Sequence, residues 1–364
     1  MPCKKVFLLW DIPKVWAESG QMKIAVGLSG GTDSLAALLI LKSAGHEIIP
    51  FHARFLPSPD KSIEQRLKDI CACSGLDLEI MDLASEFESR VVKPFIRDYL
   101  QGLTPNPCAV CNRRIKFGII RKKAFSLGAD YLATGHYAGL NPVQGSVLLG
   151  RGRDHTRDQS YFLSMVPVEV FQNTIFPLQN MTKVQAKTML KNAGLEPPQR
   201  QESREICFIS TNYRDFIASR AGSAPDAPGP VLNRQGRIIG RHAGLWKYTI
   251  GQRRGLGIAH EHPLYVLDKD LESNALIVAG QADLTSDTFL VKDLNMHCSP
   301  EYWPGQLLVQ TRYRQKPEPA EVSVHDNCMQ VRLAGPGQIP APGQVAAVYT
   351  RQGHIMAAGI ISRS

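Results

Sequence analysis

The stretch Gly27-Leu28-Ser29-Gly30-Gly31-Thr32-Asp33-Ser34 joins two apolar runs, Met22 to Val26 before it and Leu35 to Leu41 after it. The first reads as a buried strand and the second as a buried helix. A strand that turns through small residues into a helix leaves several backbone N–H groups without partners, all pointing the same way. With the positive end of the helix dipole they form a site for an anion the size of phosphate. Gly30 and Gly31 let the main chain approach such a ligand, and Ser29, Thr32 and Ser34 add hydroxyl donors. Asp33 fits two roles, a local hydrogen-bonding cap or a ligand that helps hold magnesium. The octet lacks the lysine with which a Walker A loop grips terminal phosphates.

Short apolar strands and helices alternate on both sides of this loop. His46 to Ala53, Leu78 to Met81 and Asp130 to His136 read as strands. Glu64 to Cys73, Glu86 to Leu100 and Lys183 to Asn192 read as helices. That alternation predicts an α/β fold with a parallel sheet covered on both faces, whose ligands sit at the carboxyl ends of the strands. Gly135 ends its strand at the same edge as the octet. After Cys207 the pattern changes. Residues 222–229 are rich in Ala, Pro, Gly and Ser and read as a hinge, and residues 230–242 as a hairpin around Asn233-Arg234-Gln235-Gly236. From about Thr285 onward six short strands, among them Leu307 to Tyr313, predict a small barrel.

A chain of 364 residues exceeds one typical core. The expected division is an N-terminal extension (1–21), a catalytic domain (22–210), a small central domain (211–283) and a C-terminal β-barrel (284–364). No apolar run approaches the roughly 20 residues that span a bilayer, and no secretory signal opens the chain, so no membrane association is expected. The net charge of +9 favours a polyanionic partner. Eight cysteines without an export signal point to reduced thiols in the cytoplasm.

Two of those thiols stand out. Thr104-Pro105-Asn106-Pro107-Cys108-Ala109-Val110-Cys111 delivers a Cys-x-x-Cys from a proline-fixed loop into a helix rich in Arg and Lys, where a thiolate is stabilised. Cys111 is therefore a candidate nucleophile. Cys207, between Ile206 and Phe208, reads by itself as a core thiol. Arg151 to Gln159 and the glycine-rich Thr249 to Ile258 suit backbone phosphates or a solvated surface. Arg312-Tyr313-Arg314, expected on a strand edge, offers guanidinium planes and an aromatic face to bases.

The octet resembles the PP-loop of ATP pyrophosphatases, the adenine nucleotide alpha hydrolase-like enzymes. Taken together, Gly27–Ser34, Thr104–Phe117 (TPNPCAVCNRRIKF), Ala133–Tyr137 (ATGHY), Asp158–Leu163 (DQSYFL), Glu205–Ile209 (EICFI), Leu245–Ile258, Tyr265–Lys269 (YVLDK) and Thr311–Gln315 (TRYRQ) resemble the tRNA-specific 2-thiouridylase family. The resemblance implies a tRNA-uridine 2-sulfurtransferase that adenylates the C2 oxygen of the wobble uridine and replaces it with sulfur. It implies that Gly27 to Ser34, Ala53 and Gly135 contact Mg-ATP. Cys207 would carry a persulfide and Cys111 would complete its release through a transient Cys111–Cys207 disulfide. Asn106, Pro107 and Cys108 would face the target base, while His136, Arg157, Asp158, Gln159, Arg312, Tyr313 and Gln344 would contact tRNA. The implied partners are the tRNAs for Lys, Glu and Gln and a persulfide donor protein or sulfide. One departure is Cys108, where well-studied members carry Asp. It leaves open a second route, a 4Fe–4S cluster held by Cys108, Cys111 and Cys207. A different PP-loop ligase or amidotransferase, or a non-enzymatic RNA-binding protein, are the alternative readings.

Overall fold

The computed structural model describes residues 20–57, 61–143, 146–199, 206–209, 212–220 and 227–363. The expected N-terminal extension falls almost wholly outside these residues, as does much of the hinge at 222–229. Contacts divide the chain into two compact units. One comprises Met1–Arg90, Ala109–Glu205 and Gly353–Ile355, the other Val91–Cys108, Ile206–Gln352 and Met356–Ser364.

In the first unit, β1 (Lys23–Gly27), β2 (Glu47–Arg54), β3 (Glu79–Asp82), β4 (Tyr131–Ala133), a hairpin of β5 (Ala138–Val143) and β6 (Ser146–Arg151), and β7 (Thr174–Ile175) succeed one another. Five of them form a parallel sheet in the order β3-β2-β1-β4-β7. Ile24, Ala25 and Val26 of the central strand are fully buried, as a strand covered on both faces requires. The helix Thr32–Ser43 lays Leu35, Ala36, Ala37, Leu38 and Leu41 into the core beside it. Because β2 and β3 lie on one side of β1 and β4 and β7 on the other, the order reverses between β1 and β4. The two strands leave a crevice at their carboxyl ends, the place where open α/β sheets bind ligands. The octet follows β1 and Gly135 follows β4, so the topology brings both to one crevice.

The expected helix over 86–100 is present as Ala84–Phe87 and Lys93–Leu100 joined by a π-helical turn, Glu88–Val92. A longer π-helical stretch, Asn112–Ile120, separates the helix Pro107–Cys111 from Arg121–Ser126. Such insertions often mark functional sites.

In the second unit, β8 (Gly229–Leu232), β9 (Ile238–His242), β10 (Tyr265–Asp270) and β11 (Ala275–Ala279) form a sheet in the order β10-β11-β8-β9 over a core of Val231, Leu245, Tyr248, Val266, Leu276 and Val278. The β8–β9 hairpin turns where expected: the Asn233 side chain accepts from the N–H groups of Gln235 and Arg237, and Gly236 takes φ +75°. The strands β12 (Thr285–Met296), β13 (Leu307–Gln310), β14 (Glu318–His325), β15 (Cys328–Gln338), β16 (Val345–Thr350) and β17 (Ile355–Ile361) close into a barrel. One expectation is corrected here. The strand read as Leu307 to Tyr313 stops at Gln310, and Arg312-Tyr313-Arg314 lies in a turn rather than on a strand edge. Arg314 has φ +64°, and Gln315 pulls the chain back by accepting from the N–H and hydroxyl of Thr311.

Candidate nucleotide and sulfur site

The octet is held open by its own serines. Ser34 Oγ donates to the Gly31 carbonyl at 2.9 Å and accepts from the Ser29 N–H at 3.2 Å, while the Gly31 N–H donates to Ser29 Oγ. Leu28 is tied back to the neighbouring strand, its N–H donating to Phe51 O at 2.7 Å and its carbonyl meeting His52 Nδ1 at 2.7 Å. Gly30 takes φ +85°, a conformation that side chains resist. Gly31 is the N-cap of the following helix, and no side chain caps it. The first-turn amides are thus left to an outside acceptor.

Gly135 packs against that same turn. A Cβ there would stand 2.7 Å from the Asp33 carbonyl carbon and 2.9 Å from the Ser34 nitrogen, main-chain atoms that cannot step aside. Gly27, the last residue of β1, has the Phe51 ring in the same role. Ala53 lies near the carboxyl end of β2, paired with Met81 of β3.

Asp33 is held by side chains from two other segments of the same unit. Lys183 Nζ donates to both its carboxylate oxygens at 2.8 Å, and the Tyr137 hydroxyl donates to Oδ1 at 2.8 Å. Burial, followed by the charge of Asp33, raises the Tyr137 pKa and keeps the phenol protonated. Sequence reasoning missed Lys183 and Tyr137 as site residues. A signal was present: Thr182 and Gln185 form a capping box, so Lys183 is the first residue of its helix. A cation there opposes the helix dipole unless an anion meets it.

The residues expected to face tRNA divide. His136 is buried, with Nδ1 at 2.8 Å from Thr134 Oγ1 and Nε2 at 3.3 Å from Lys116 Nζ. Burial, then the Lys116 charge, holds its pKa well below the ordinary imidazole value, so it is a neutral ring used internally. Asp158 accepts from the Gly152 and Ser160 N–H groups and the Ser160 hydroxyl, and its burial raises its pKa. Gln159 exchanges hydrogen bonds with Tyr137, its side-chain oxygen accepting from the Tyr137 N–H. Arg157 is half-buried in the turn that follows Asp154. Arg312 is exposed, while Tyr313 and Gln344 are half-buried.

Asn106 and Pro107 are buried, Cys108 is half-buried, and Cys111, one helical turn further on, is 8% exposed. Cys207 is exposed on a short turn over 206–209. Its neighbour Phe208 is buried, with ring centroids 5.3 Å from Phe95 and 5.2 Å from Phe216. That placement corrects the reading of Cys207 as a core thiol: its flanking Phe208, not the sulfur, enters the apolar cluster. None of the described cysteines is in a disulfide, so the expected Cys111–Cys207 bond is not formed here. Among the described residues no group of three His, Cys, Asp or Glu side chains is gathered to hold a metal ion.

Residues 22–211 match the family model described as tRNA methyl transferase HUP domain, residues 214–280 its PRC-barrel domain, and residues 286–361 the aminomethyltransferase beta-barrel domain. The chain is 48% identical over 350 residues to tRNA-specific 2-thiouridylase MnmA of Nitratidesulfovibrio vulgaris (strain Miyazaki F), covering 93% of this chain and 99% of that one. It belongs to the tRNA-specific 2-thiouridylase MnmA family. The MnmA proteins of Oleidesulfovibrio alaskensis and Lawsonia intracellularis are 44% and 40% identical to it, each over 94% of this chain and 99% of their own length. The crevice between β1 and β4 stands in the same unit as Cys111.

Proposed function

We propose that this protein is a tRNA 2-thiouridylase, an ATP-dependent sulfurtransferase acting on the wobble uridine. The observation that carries the reading is the uncapped helix N-terminus at Gly31, set at the reversal point of the sheet and walled by Gly135, in a chain of this family. The C2 oxygen of the uridine attacks the α-phosphate of Mg-ATP, and pyrophosphate leaves toward the amides of the octet, which stabilise its charge. Adenylation is needed because a carbonyl oxygen is a poor leaving group, whereas AMP is a good one. The terminal sulfur of a Cys207 persulfide then attacks C2 and AMP departs. Cys111 attacks Cys207 Sγ, which frees 2-thiouridine and leaves a Cys111–Cys207 disulfide for an external thiol to reduce. In the variant order, Cys111 first releases the outer sulfur as hydrosulfide, which attacks C2. The uridine comes from a single-stranded loop, where unstacking a base costs only a few kcal/mol.

Asp33 is assigned a structural part in this scheme, neutralising Lys183 beside the loop. The tRNAs for Lys, Glu and Gln are the proposed substrates, and a persulfide-bearing protein is the proposed donor to Cys207; free sulfide enters only as hydrosulfide that attacks the adenylated C2 directly and displaces AMP. Incubation with unmodified tRNA, Mg-ATP and a sulfide source should yield 2-thiouridine and one pyrophosphate per base. Pyrophosphate release without any need for tRNA would point to another PP-loop ligase. Binding of tRNA without pyrophosphate release would point to a non-enzymatic binder.

A further inference from the structure

The second unit contains a buried cation that the mechanism above does not use. Lys269, on β10, is 3% exposed, and its Nζ donates to the Gly102 carbonyl at 2.9 Å. Arg363 Nη2, from the C-terminal end of the chain, donates to the same oxygen at 3.3 Å. Two basic side chains on one neutral acceptor is a costly arrangement when both are charged. Burial first, then Arg363, opposed by Asp268, brings the Lys269 pKa down to about 7. Replacing a buried charge by an apolar side chain of similar shape is often neutral or stabilising, so stability alone does not account for this lysine.

The carbonyl it holds occupies a particular place. Gly102 ends the helix Lys93–Leu100 in a Schellman motif: its N–H donates to Tyr99 O, the Leu103 N–H donates to Asp98 O, and Gly102 takes φ +70°. A Cβ on Gly102 would stand 2.6 Å from Arg363 Nη2 and 3.2 Å from Leu271. The next residues are Leu103, Thr104, Pro105, Asn106, Pro107 and Cys108. They are held from a second side as well. The Thr104 N–H donates to Pro342 O at 2.8 Å, and Gly343, at φ +92°, approaches so closely that a Cβ there would lie 3.0 Å from Leu103 and from the Thr104 nitrogen.

We propose that Lys269 is a positioning residue for the reaction, fixing through the Gly102 carbonyl the segment that presents Asn106, Pro107 and Cys108 to the target uridine. The inference rests on the function proposed above. It assigns the lysine to the geometry of base presentation rather than to ATP or to general tRNA affinity. Asp268 and Arg363 are the charged groups that face it.

The test uses the full chain with unmodified tRNA, Mg-ATP and sulfide. Lys269→Met should lower kcat for 2-thiouridine formation at least tenfold. The KM for ATP and the Kd for tRNA should stay within about twofold, and the melting temperature should stay unchanged or rise. Hydrogen exchange at Leu103 and Thr104 should accelerate. An unchanged kcat overturns the proposal, and so does a loss of activity that tracks a fall in melting temperature or in ATP affinity. If Lys269→Met does not fold, Arg363→Met removes the second donor and should lower kcat at least threefold under the same conditions; no loss there also overturns it. Wild-type protein that makes no 2-thiouridine would refute the proposed function instead, a result separable from the variants.

Discussion

In the proposed reaction, the crevice at β1 and β4 and the two cysteine-bearing segments do their work with different kinds of atom. In the crevice the working groups are main-chain amides, and what keeps them in place is the absence of side chains at Gly30 and Gly135. In the cysteine segments the proposed working groups are two sulfurs, one on Cys111 at 8% exposure and one on the exposed Cys207. A main-chain site tolerates changes of side-chain chemistry but not of bulk. A sulfur site tolerates changes of bulk but not of the reacting atom. The proposed nucleotide end is therefore over-determined by packing, and the proposed sulfur end depends on single residues.

The most severe break in that contrast is Cys207→Ser, which keeps shape and removes the sulfur. With a persulfide-bearing donor and no free sulfide, thiolation should fall below detection, at least a thousandfold, while tRNA-dependent pyrophosphate release and tRNA binding change by less than threefold; loss of tRNA binding would remove Cys207 from the sulfur end. Gly135→Ala is the complementary break, adding one methyl group against main-chain atoms. It should cut pyrophosphate release by roughly a hundredfold and cost about 1–3 kcal/mol of stability, read by isotope-labelled ATP and by urea unfolding. A tolerated alanine would mean that the crevice is not closed by packing.

Lys183→Met sharpens the comparison by removing charge while leaving the amides in place. Its side chain is 11% exposed against 34% for Asp33, so the carboxylate left behind is partly hydrated. A loss of about 1–2 kcal/mol is expected rather than the larger cost of a fully buried broken pair. Calorimetry and the ATP KM read it together, and a purely structural pair would leave KM unchanged.

Lys269 sets a pH dependence. Its folded pKa of about 7 lies below the unfolded 10.5, so between those values the unfolded chain binds more protons. Stability then rises with pH from about 7 upward, with a slope of at most about 1.4 kcal/mol per pH unit. The contribution is lost as pH falls toward 7. Urea midpoints for wild type and Lys269→Met between pH 7 and 9.5 should converge as pH rises; parallel curves would contradict the depressed value. The smallest effect is at the exposed Arg312, where Ala should reduce the salt slope of tRNA binding by about one unit.

Much of the crevice was legible in sequence because its signals are local. The octet, its flanking apolar runs and the glycine after β4 obey short-range rules of turn and period. The barrel strands were legible for the same reason, apart from the turn at Arg312-Tyr313-Arg314, where a positive φ at Arg314 and the Gln315 hydrogen bonds end the strand early. Cys207 was misread because an apolar neighbour on each side suggests burial, whereas the turn sends Phe208 inward and leaves the thiol outside. His136 and Asp158, which the resemblance implies as tRNA contacts, hold hydrogen bonds to Thr134, Lys116, Gly152 and Ser160 that no short-range pattern foretells.

From the order of residues alone came the phosphate-sized cradle, the alternating strands and helices around it, the Cys-x-x-Cys segment ending at Cys111 and the closing barrel. Each depends on neighbours within a few positions, where backbone sterics and side-chain period decide the outcome. Only the tertiary structure decided that Asp33 meets Lys183, 150 residues away, and that Lys269 reaches back 167 residues to the Gly102 carbonyl. Those pairs cross long loops and are selected by burial, because a charge or carbonyl removed from water must find a partner wherever the fold supplies one.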